Sequence, residues 1–361
     1  MDLTPTTQFW KGKRVFLTGH TGFKGSWLAA WLAQLGAEVR GFALPPETTP
    51  SLFDRIQLGE RLEHTIGDLR NIAEVVGAVV DFRPEIVLHL GAQAIVRRAY
   101  REPVSTFATN LQGTVHVLEA CRQTPSVRAA VIVTTDKCYD NPEWVWPFRE
   151  VDRLGGHEPY SASKACAEIA VAAYRQAFFD ATQSCRVATG RAGNVIGGGD
   201  WSEARLIPDA VRAAVSGQPL RVRNKDSVRP WQHVVEPLLG YLMLARALYE
   251  QTPGCPTALN FGPSPAQFAP VSRVADMFYE AWGTSPGWRY EPEANAPREA
   301  RLLRLDSSLA ADALGWSAKG SLEIAIGETA RWYRAEAGRA SAHELTTLMH
   351  EQIDLLSRGA A

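Results

Sequence analysis

The chain has 361 residues, enough for one large α/β domain with a smaller appendage. Its 38 Lys and Arg against 39 Asp and Glu leave no global field to recruit nucleic acid or an anionic membrane, so an anionic ligand must be met by individually placed arginines. No stretch reaches the roughly 18 apolar residues that span a bilayer, and none at the N-terminus has signal-peptide design. Both point to a cytoplasmic protein. The five cysteines, Cys121, Cys138, Cys166, Cys185 and Cys255, are odd in number and fall in no metal-ligand spacing. They suit a reduced compartment, read as small buried hydrophobes, and no metal centre is expected.

In chain order, Lys13 to Thr18 reads as a buried strand that runs into Gly19-His20-Thr21-Gly22-Phe23-Lys24-Gly25. A helix follows with Trp27, Leu28, Trp31, Leu32 and Leu35 at helical spacing, ended by Gly36. Ala37 to Leu44 supplies a second strand and His64 to Ile66 a third; a helix over 71–82 precedes the strand Ile86 to Leu90. Helices over about 104–123 and 160–179 each precede a further strand, Ala130 to Thr134 and Arg186 to Thr189. Strands alternating with helices predict α/β architecture with a doubly wound parallel sheet. Past about 190 the alternation breaks up into a loop at Gly197 to Asp200, a helix over 206–216, a short strand at Leu220 to Arg223, a proline-rich stretch around 285–297 and a helix from about 321. This half reads as a smaller C-terminal α/β lobe that supplies side chains to the mouth of the sheet. In the tail, Leu345, Met349, Ile353 and Leu356 share one helical face, suited to docking on the body or on a second subunit.

Gly19, Gly22 and Gly25 form G-x-x-G-x-x-G at the first strand–helix junction. A sharp turn, close approach of a pyrophosphate and tight helix–strand packing each favour a missing Cβ, and the helix N-terminus offers N–H groups to phosphate. Asp68, after the third strand, reads either as a carboxylate for an adenine amino group or as the N-cap of the next helix. The second strand ends Gly41-Phe42-Ala43-Leu44, with no acid for the ribose hydroxyls. No obvious arginine stands there for a 2′-phosphate either, although Lys24 and Arg40 could serve, and NAD is favoured over NADP.

Tyr160 and Lys164 stand one turn apart on one helix face. A phenol loses its proton near pH 10; a neighbouring ammonium lowers that value, so Tyr160 can take a hydroxyl proton while hydride leaves the same carbon. Thr135, at the C-terminal edge of its strand, can hydrogen-bond the same oxygen. Asp136 and Lys137 follow. In isolation they read as a solvated ion pair; beside a hydride-transfer pair they read as an acid and a base for β-elimination from a ketone, the amine needing desolvation near another cation to act as base. Four of the eleven tryptophans, Trp144, Trp146, Trp201 and Trp231, fall in polar loops and serve either packing or a sugar or base platform.

These residues together resemble the extended short-chain dehydrogenase/reductase family of NAD-dependent epimerases and dehydratases, over nearly the whole length. The resemblance is carried by the glycine loop, Asp136-Lys137-Cys138-Tyr139, Tyr160-Ser161-Ala162-Ser163-Lys164, the run Arg191 to Trp201 and Arg229-Pro230-Trp231-Gln232-His233-Val234. Most sugar-nucleotide dehydratases of the family carry Asp-Glu where this chain has Asp136-Lys137, and the lysine is similar to the branch that acts on CDP-D-glucose.

The resemblance implies a Rossmann domain over 1–190 with a return segment at about 231–262, and a nucleotide-sugar lobe from 191–230 and 263–361. It implies a tightly held NAD+ and conversion of CDP-glucose to CDP-4-keto-6-deoxy-D-glucose plus water, in deoxysugar and lipopolysaccharide O-antigen biosynthesis. Tyr160, aided by Thr135 and Lys164, would deprotonate the 4-hydroxyl; Lys137 would take the C5 proton and Asp136 protonate the departing 6-hydroxyl, with the division between these two open. NAD contacts are expected from Gly19, Gly22, Phe23, Lys24, Gly25, Asp68, Leu69, Leu90, Ala92, Gln93, Tyr160 and Lys164. Substrate contacts are expected from Gln93, Asn194, Trp201, Arg205, Arg229, Trp231 and Arg298, whereas His233 reads as structural. The helix pair over about 104–123 and 160–179 resembles the family's subunit-pairing face, implying a homodimer or homotetramer. An epimerase or reductase would need Tyr160 and Lys164 but not Asp136 and Lys137. A non-catalytic dinucleotide-binding regulator would not need the intact Thr135, Tyr160 and Lys164.

Overall fold

The structure is a computed structural model that describes residues 3–182, 184–283, 287–293 and 300–358. The first half lays down β1 (Arg14–Thr18), β2 (Glu38–Ala43), β3 (Glu63–Ile66), β4 (Ile86–His89), β5 (Ala129–Val133) and β6 (Arg186–Ala192). Short strands follow: β7 (Val195–Ile196), β8 (Leu220–Val222), β9 (Val228–Pro230) and β10 (Gln232–His233), then β11 (Ala258–Phe261), β12 (Phe268–Pro270) and β13 (Trp288–Tyr290). Among the described residues the main sheet has seven strands in the order β11-β6-β5-β4-β1-β2-β3, every neighbouring pair parallel. This is the doubly wound sheet that the alternation predicts. The order reverses beside β1, so the crevice between the C-terminal ends of β1 and β4 is where such a sheet receives a ligand.

β1, β4 and β5 are near-continuous apolar runs because both of their faces are covered. Alternate residues feed two cores. Val15, Leu17, Val131 and Val133 meet Trp27, Trp31, Leu238 and Trp316 on one side. Phe16, Ala130 and Ile132 meet Val75, Val79, Val117 and Val171 on the other. Edge strand β3 is exposed along most of its length.

Two predicted helices prove to be interrupted. The first runs as Pro103–Phe107, a π-turn at Ala108–Gln112 and Gly113–Gln123. The second runs as Pro159–Tyr174, a π-turn at Arg175–Phe179 and Asp180–Thr182. The first π-turn carries the buried Asn110, whose side chain bonds outside its own helix; such bulges often mark functional sites. Of the two docking surfaces open to the tail helix Ala342–Arg358, it takes the body. Leu345, Met349, Ile353 and Leu356 are buried against the helices Val235–Tyr249, Leu322–Ala337 and Phe23–Gln34. Among the described residues no helix is long and apolar enough to cross a membrane.

Candidate active site

A cleft of about 1410 Å³ opens at the C-terminal edge of the sheet and extends under the second half of the chain. Gly19 turns into it with φ 78°, and a Cβ there would come within 2.8 Å of the Gly91 nitrogen. At Gly25 a Cβ would sit 2.0 Å from the Gly19 carbonyl oxygen, so helix Phe23–Gln34 can only dock on β1 through a glycine. Gly22 begins that helix without a side-chain cap, which leaves first-turn N–H groups for a ligand. Behind the loop the Gly91 N–H donates to Thr18 Oγ1 at 3.0 Å, and Thr18 Oγ1 lies 2.7 Å from His89 Nδ1, tying the ends of β1 and β4 together. His20 is buried with its ring against Gly41, where a Cβ would come within 2.4 Å of it; that contact explains the glycine in β2.

Asp68 and Leu69 line the cleft, and Asp68 is paired with Arg70 at 2.5 Å, which holds its carboxyl below the usual range. The cap of helix Ile72–Phe82 is Asn71, not Asp68. Arg40 is corrected as a 2′-phosphate candidate: it is held by Glu63 and Asp81, lies over the Phe82 ring, and is not part of the cleft wall. Where an acid was sought after β2, the wall is formed by Leu44, Pro45, Glu47, Thr48 and Thr49.

The residues read as a reacting centre meet where β5 ends. Thr135 caps the turn Asp136–Cys138, accepting from the Lys137 N–H at 3.3 Å, and its hydroxyl donates to Asp136 Oδ1 at 3.1 Å. It also hydrogen-bonds the Tyr160 hydroxyl. Tyr160 enters from helix Pro159–Tyr174, whose N-cap Glu158 accepts from the Tyr160 and Ser161 N–H groups at 2.7 and 2.8 Å. Lys164, one turn on, donates to the Val133 carbonyl at 3.2 Å. Burial pushes the Tyr160 phenol up to about 12, against the downward pull of Thr135 and Arg205. The net lowering expected from Lys164 is therefore not found in the protein alone: desolvation dominates, and the opposing pull comes from Thr135 and Arg205. Burial pulls the Lys164 ammonium down to about 8, opposed first by Glu168.

Lys137 reaches the cleft, is partly exposed, and lies 3.7 Å from Asp136. Asp136 itself is fully buried and absent from the cleft wall. Its Oδ2 has no partner among the described residues and sits where a Cβ on Gly193 would be 2.7 Å away. A second amine joins Lys164 here: Lys24, half-buried on the cleft wall, is lowered to about 7 by burial and then by the neighbouring Arg205 and Lys164.

The far wall comes from the later segments. The loop Gly197-Gly198-Gly199-Asp200 is pinned by helix Leu322–Ala337: a Cβ on Gly198 would strike the Trp332 ring at 2.0 Å, and Trp27 Nε1 donates to the Gly198 carbonyl at 2.9 Å. Asp200 then orients Arg205 at 3.1 Å, and Trp201 packs edge-on against Tyr333. Asn194 and Trp201 line the cleft; Asn194 Oδ1 and Trp201 Nε1 lack partners among the described residues. Arg229 and Trp231 also line it, but the Arg229 guanidinium donates to the carbonyls of Val228, Arg301 and Ala300, and Trp231 Nε1 to that of Ala269. Gln93 lines the cleft with both ends of its amide engaged, by Thr106 and by the Ile95 N–H. Arg298 lies outside the described residues. His233 is buried off the cleft and driven down to about 3 by desolvation, a neutral core histidine. Asn110, which sequence reasoning missed, donates to Gln93 O and Ser163 Oγ and accepts from the Gln93 N–H, joining the cofactor loop to the Tyr160–Lys164 helix. Its only sequence signal is an amide on an otherwise buried helix face.

A parallel α/β fold with a glycine turn, a buried Tyr-x-x-x-Lys pair and a second lobe over one cleft defines a nucleotide-dependent oxidoreductase scaffold. The profile of the NAD dependent epimerase/dehydratase family matches residues 15–257, and the chain belongs to that family. It is similar to the CDP-glucose 4,6-dehydratase of Salmonella typhimurium, with 45% identity over 331 residues, covering 91% of this chain and 92% of that protein. The fold is shared with the dTDP-glucose 4,6-dehydratase of Bacillus anthracis solved in complex with NAD, at TM-score 0.76 and 20% identity over 92% of this chain and 100% of that one. It is shared too with the UDP-glucose 4-epimerase of Thermotoga maritima solved with UDP-glucose, at TM-score 0.78 and 22% identity over 90% and 99% of the two chains. The cradle fits the family's cofactor: a Cβ would block the turn at Gly19 and Gly25, and the helix start above it is uncapped.

Proposed function

We propose that this chain is a CDP-D-glucose 4,6-dehydratase, which converts CDP-D-glucose to CDP-4-keto-6-deoxy-D-glucose and water. The observation that carries the reading is one cleft lined by Thr135, Tyr160, Lys164 and Lys137, in a chain 45% identical to a CDP-glucose 4,6-dehydratase. NAD, when bound, would supply a reversible hydride acceptor, so that the hydride lost from C4 is given back at C6 as C5 regains a proton, and no net NADH forms. Gly19, Gly22, Phe23, Lys24 and Gly25 hold its phosphates, and Asp68, Leu69, Leu90, Ala92 and Gln93 flank its two ends. Tyr160, hydrogen-bonded by Thr135 and backed by Lys164, takes the proton of the sugar 4-hydroxyl. Lys137, facing the cleft, removes the C5 proton of the resulting ketone. Asp136, set behind the cleft wall with an Oδ2 that has no partner among the described residues, is assigned the proton for the 6-hydroxyl as it leaves. Asn194, Trp201, Arg205, Arg229, Trp231 and Arg298 are assigned to the nucleotide sugar.

The division of labour is then 1–190 with 231–262 for NAD, and 191–230 with 263–361 for substrate. Exposed Val104, Ile169 and Phe178 on the helix pair favour a homodimer or homotetramer, and five unpaired cysteines suit the cytoplasm. The test is incubation with CDP-, dTDP- and GDP-glucose followed by mass analysis of the products. Loss of one water from CDP-glucose without net NADH is expected. Isomerisation with no mass change, or no conversion of CDP-glucose, would overturn the assignment.

A further inference from the structure

Glu168 stands one turn beyond Lys164 on helix Pro159–Tyr174 and is almost fully buried. Its carboxylate meets the side of the Arg191 guanidinium, Nε to Oε1 at 2.9 Å and Nη2 to Oε2 at 2.7 Å. It also accepts from Thr189 Oγ1 at 2.8 Å and from the hydroxyl of Thr134, the residue before Thr135. Arg191 Nη1 continues to the Tyr139 hydroxyl at 2.8 Å, and that hydroxyl donates to Asn260 Oδ1 at 2.7 Å. One buried network thus joins the catalytic helix, the end of β5, β6 and β11.

Desolvating an ion pair is costly, and apolar side chains could fill the same volume without that cost. What they could not do is set a fixed negative charge one turn from Lys164. Around that ammonium stand Tyr160 on its own helix, Cys138 after β5, His89 on β4 and Lys24 on the first helix. His89 and Cys138 are kept neutral by burial. Glu168 is the standing anion of the set.

We propose that Glu168, locked by Arg191, is a positioning residue for hydride transfer: its carboxylate keeps the Lys164 ammonium charged and holds the Thr134–Thr135 strand end against the catalytic helix. The inference rests on reading Tyr160 and Lys164 as the hydride-transfer pair.

The test compares the wild type with Glu168→Gln, Glu168→Asp and the double variant Glu168→Gln/Arg191→Met, which removes both buried charges and guards against misfolding of the single variant. Two pH profiles are recorded with NAD present: single-turnover reduction of the nicotinamide by CDP-glucose, and the rate of Lys164 acylation by acetic anhydride, read by mass spectrometry. In both variants that lack the Glu168 charge the alkaline limb of reduction and the onset of acylation should move towards acid by about one pH unit or more. Glu168→Asp, which keeps the charge, should retain the wild-type position. A folded double variant with unshifted profiles overturns the proposal, as does an equal shift in Glu168→Asp. If the acylation onset shifts while the wild type reduces no nicotinamide, the charge role of Glu168 stands and the dehydratase reading falls.

Discussion

Thr135→Val removes one hydroxyl and keeps the shape of the side chain, so it isolates what that hydroxyl does. In the folded protein it donates to Asp136 Oδ1 at 3.1 Å, accepts from the Lys137 N–H at 3.3 Å, and stands beside the Tyr160 hydroxyl, whose ionisation it favours. Asp136 is fully buried, so Oδ1 gains no water when the donor goes; an unsatisfied buried group costs about 1–3 kcal/mol, and the melting temperature should fall accordingly. The larger consequence is kinetic. In the proposed role Tyr160 develops negative charge against burial that pushes its phenol up to about 12. As that charge develops, the Thr135 proton can turn from Asp136 to the phenolate; a hydrogen bond to a charged group is worth about 1.5–3 kcal/mol, so without it hydride transfer should slow by about 10- to 150-fold. Stopped-flow absorbance of the reduced nicotinamide in a single turnover reads that step, with the protein saturated in NAD and substrate and held below its melting transition. Thr135→Ser should recover most of the rate. A folded Thr135→Val protein with an undiminished hydride-transfer rate would refute the reasoning.

Lys137→Met should leave the first oxidation intact and slow elimination by about 10²- to 10⁴-fold, seen as reduced nicotinamide that accumulates without loss of water from the sugar; unimpaired release of the 6-deoxy product would remove Lys137 as the base. Gly25→Ala sets a methyl 2.0 Å from the Gly19 carbonyl, backbone that cannot swing aside; a cost of about 1–3 kcal/mol and loss of NAD on dialysis are expected, and wild-type retention of NAD would contradict the cradle. Burial lowers the histidine pKa to about 3 in His89 and His233 and to about 4 in His20. Each therefore gains its proton on unfolding, and stability present above about pH 6.5 is lost as the pH falls towards those values, by about 1.4 kcal/mol per pH unit for each group. Glu236, raised by burial to about 7, acts in the opposite sense and offsets part of the loss. Denaturant titrations at pH 7 and 5 should show a clear drop, and His233→Gln should reduce it; equal stability at the two pH values would sink the account.

Much of the fold was legible because its signals are local. Buried parallel strands are short apolar runs, and the glycine turn sits where β1 meets its helix. The π-turn at Ala108–Gln112 left no such mark; its Asn110 bonds to Gln93 and Ser163, 17 and 53 residues away in the chain. Strand β11 joins the main sheet only by pairing with β6, after the stretch where the helix–strand alternation has broken down.

The same division runs through the site. Tyr160 and Lys164 are four apart on a helix and Thr135, Asp136 and Lys137 are consecutive, so sequence alone determined that a phenol, an amine, a hydroxyl and an acid–base pair belong to short, readable motifs. Tertiary structure decided their states. It put Lys137 on the cleft wall and Asp136 behind it, engaged the Arg229 guanidinium with backbone carbonyls, drew Arg40 away to Glu63 and Asp81, and set Glu168 and Arg191 beneath Lys164. Spacing along a chain determines which side chains share a face. Charge, desolvation and free hydrogen-bonding capacity depend on neighbours that only folding brings near.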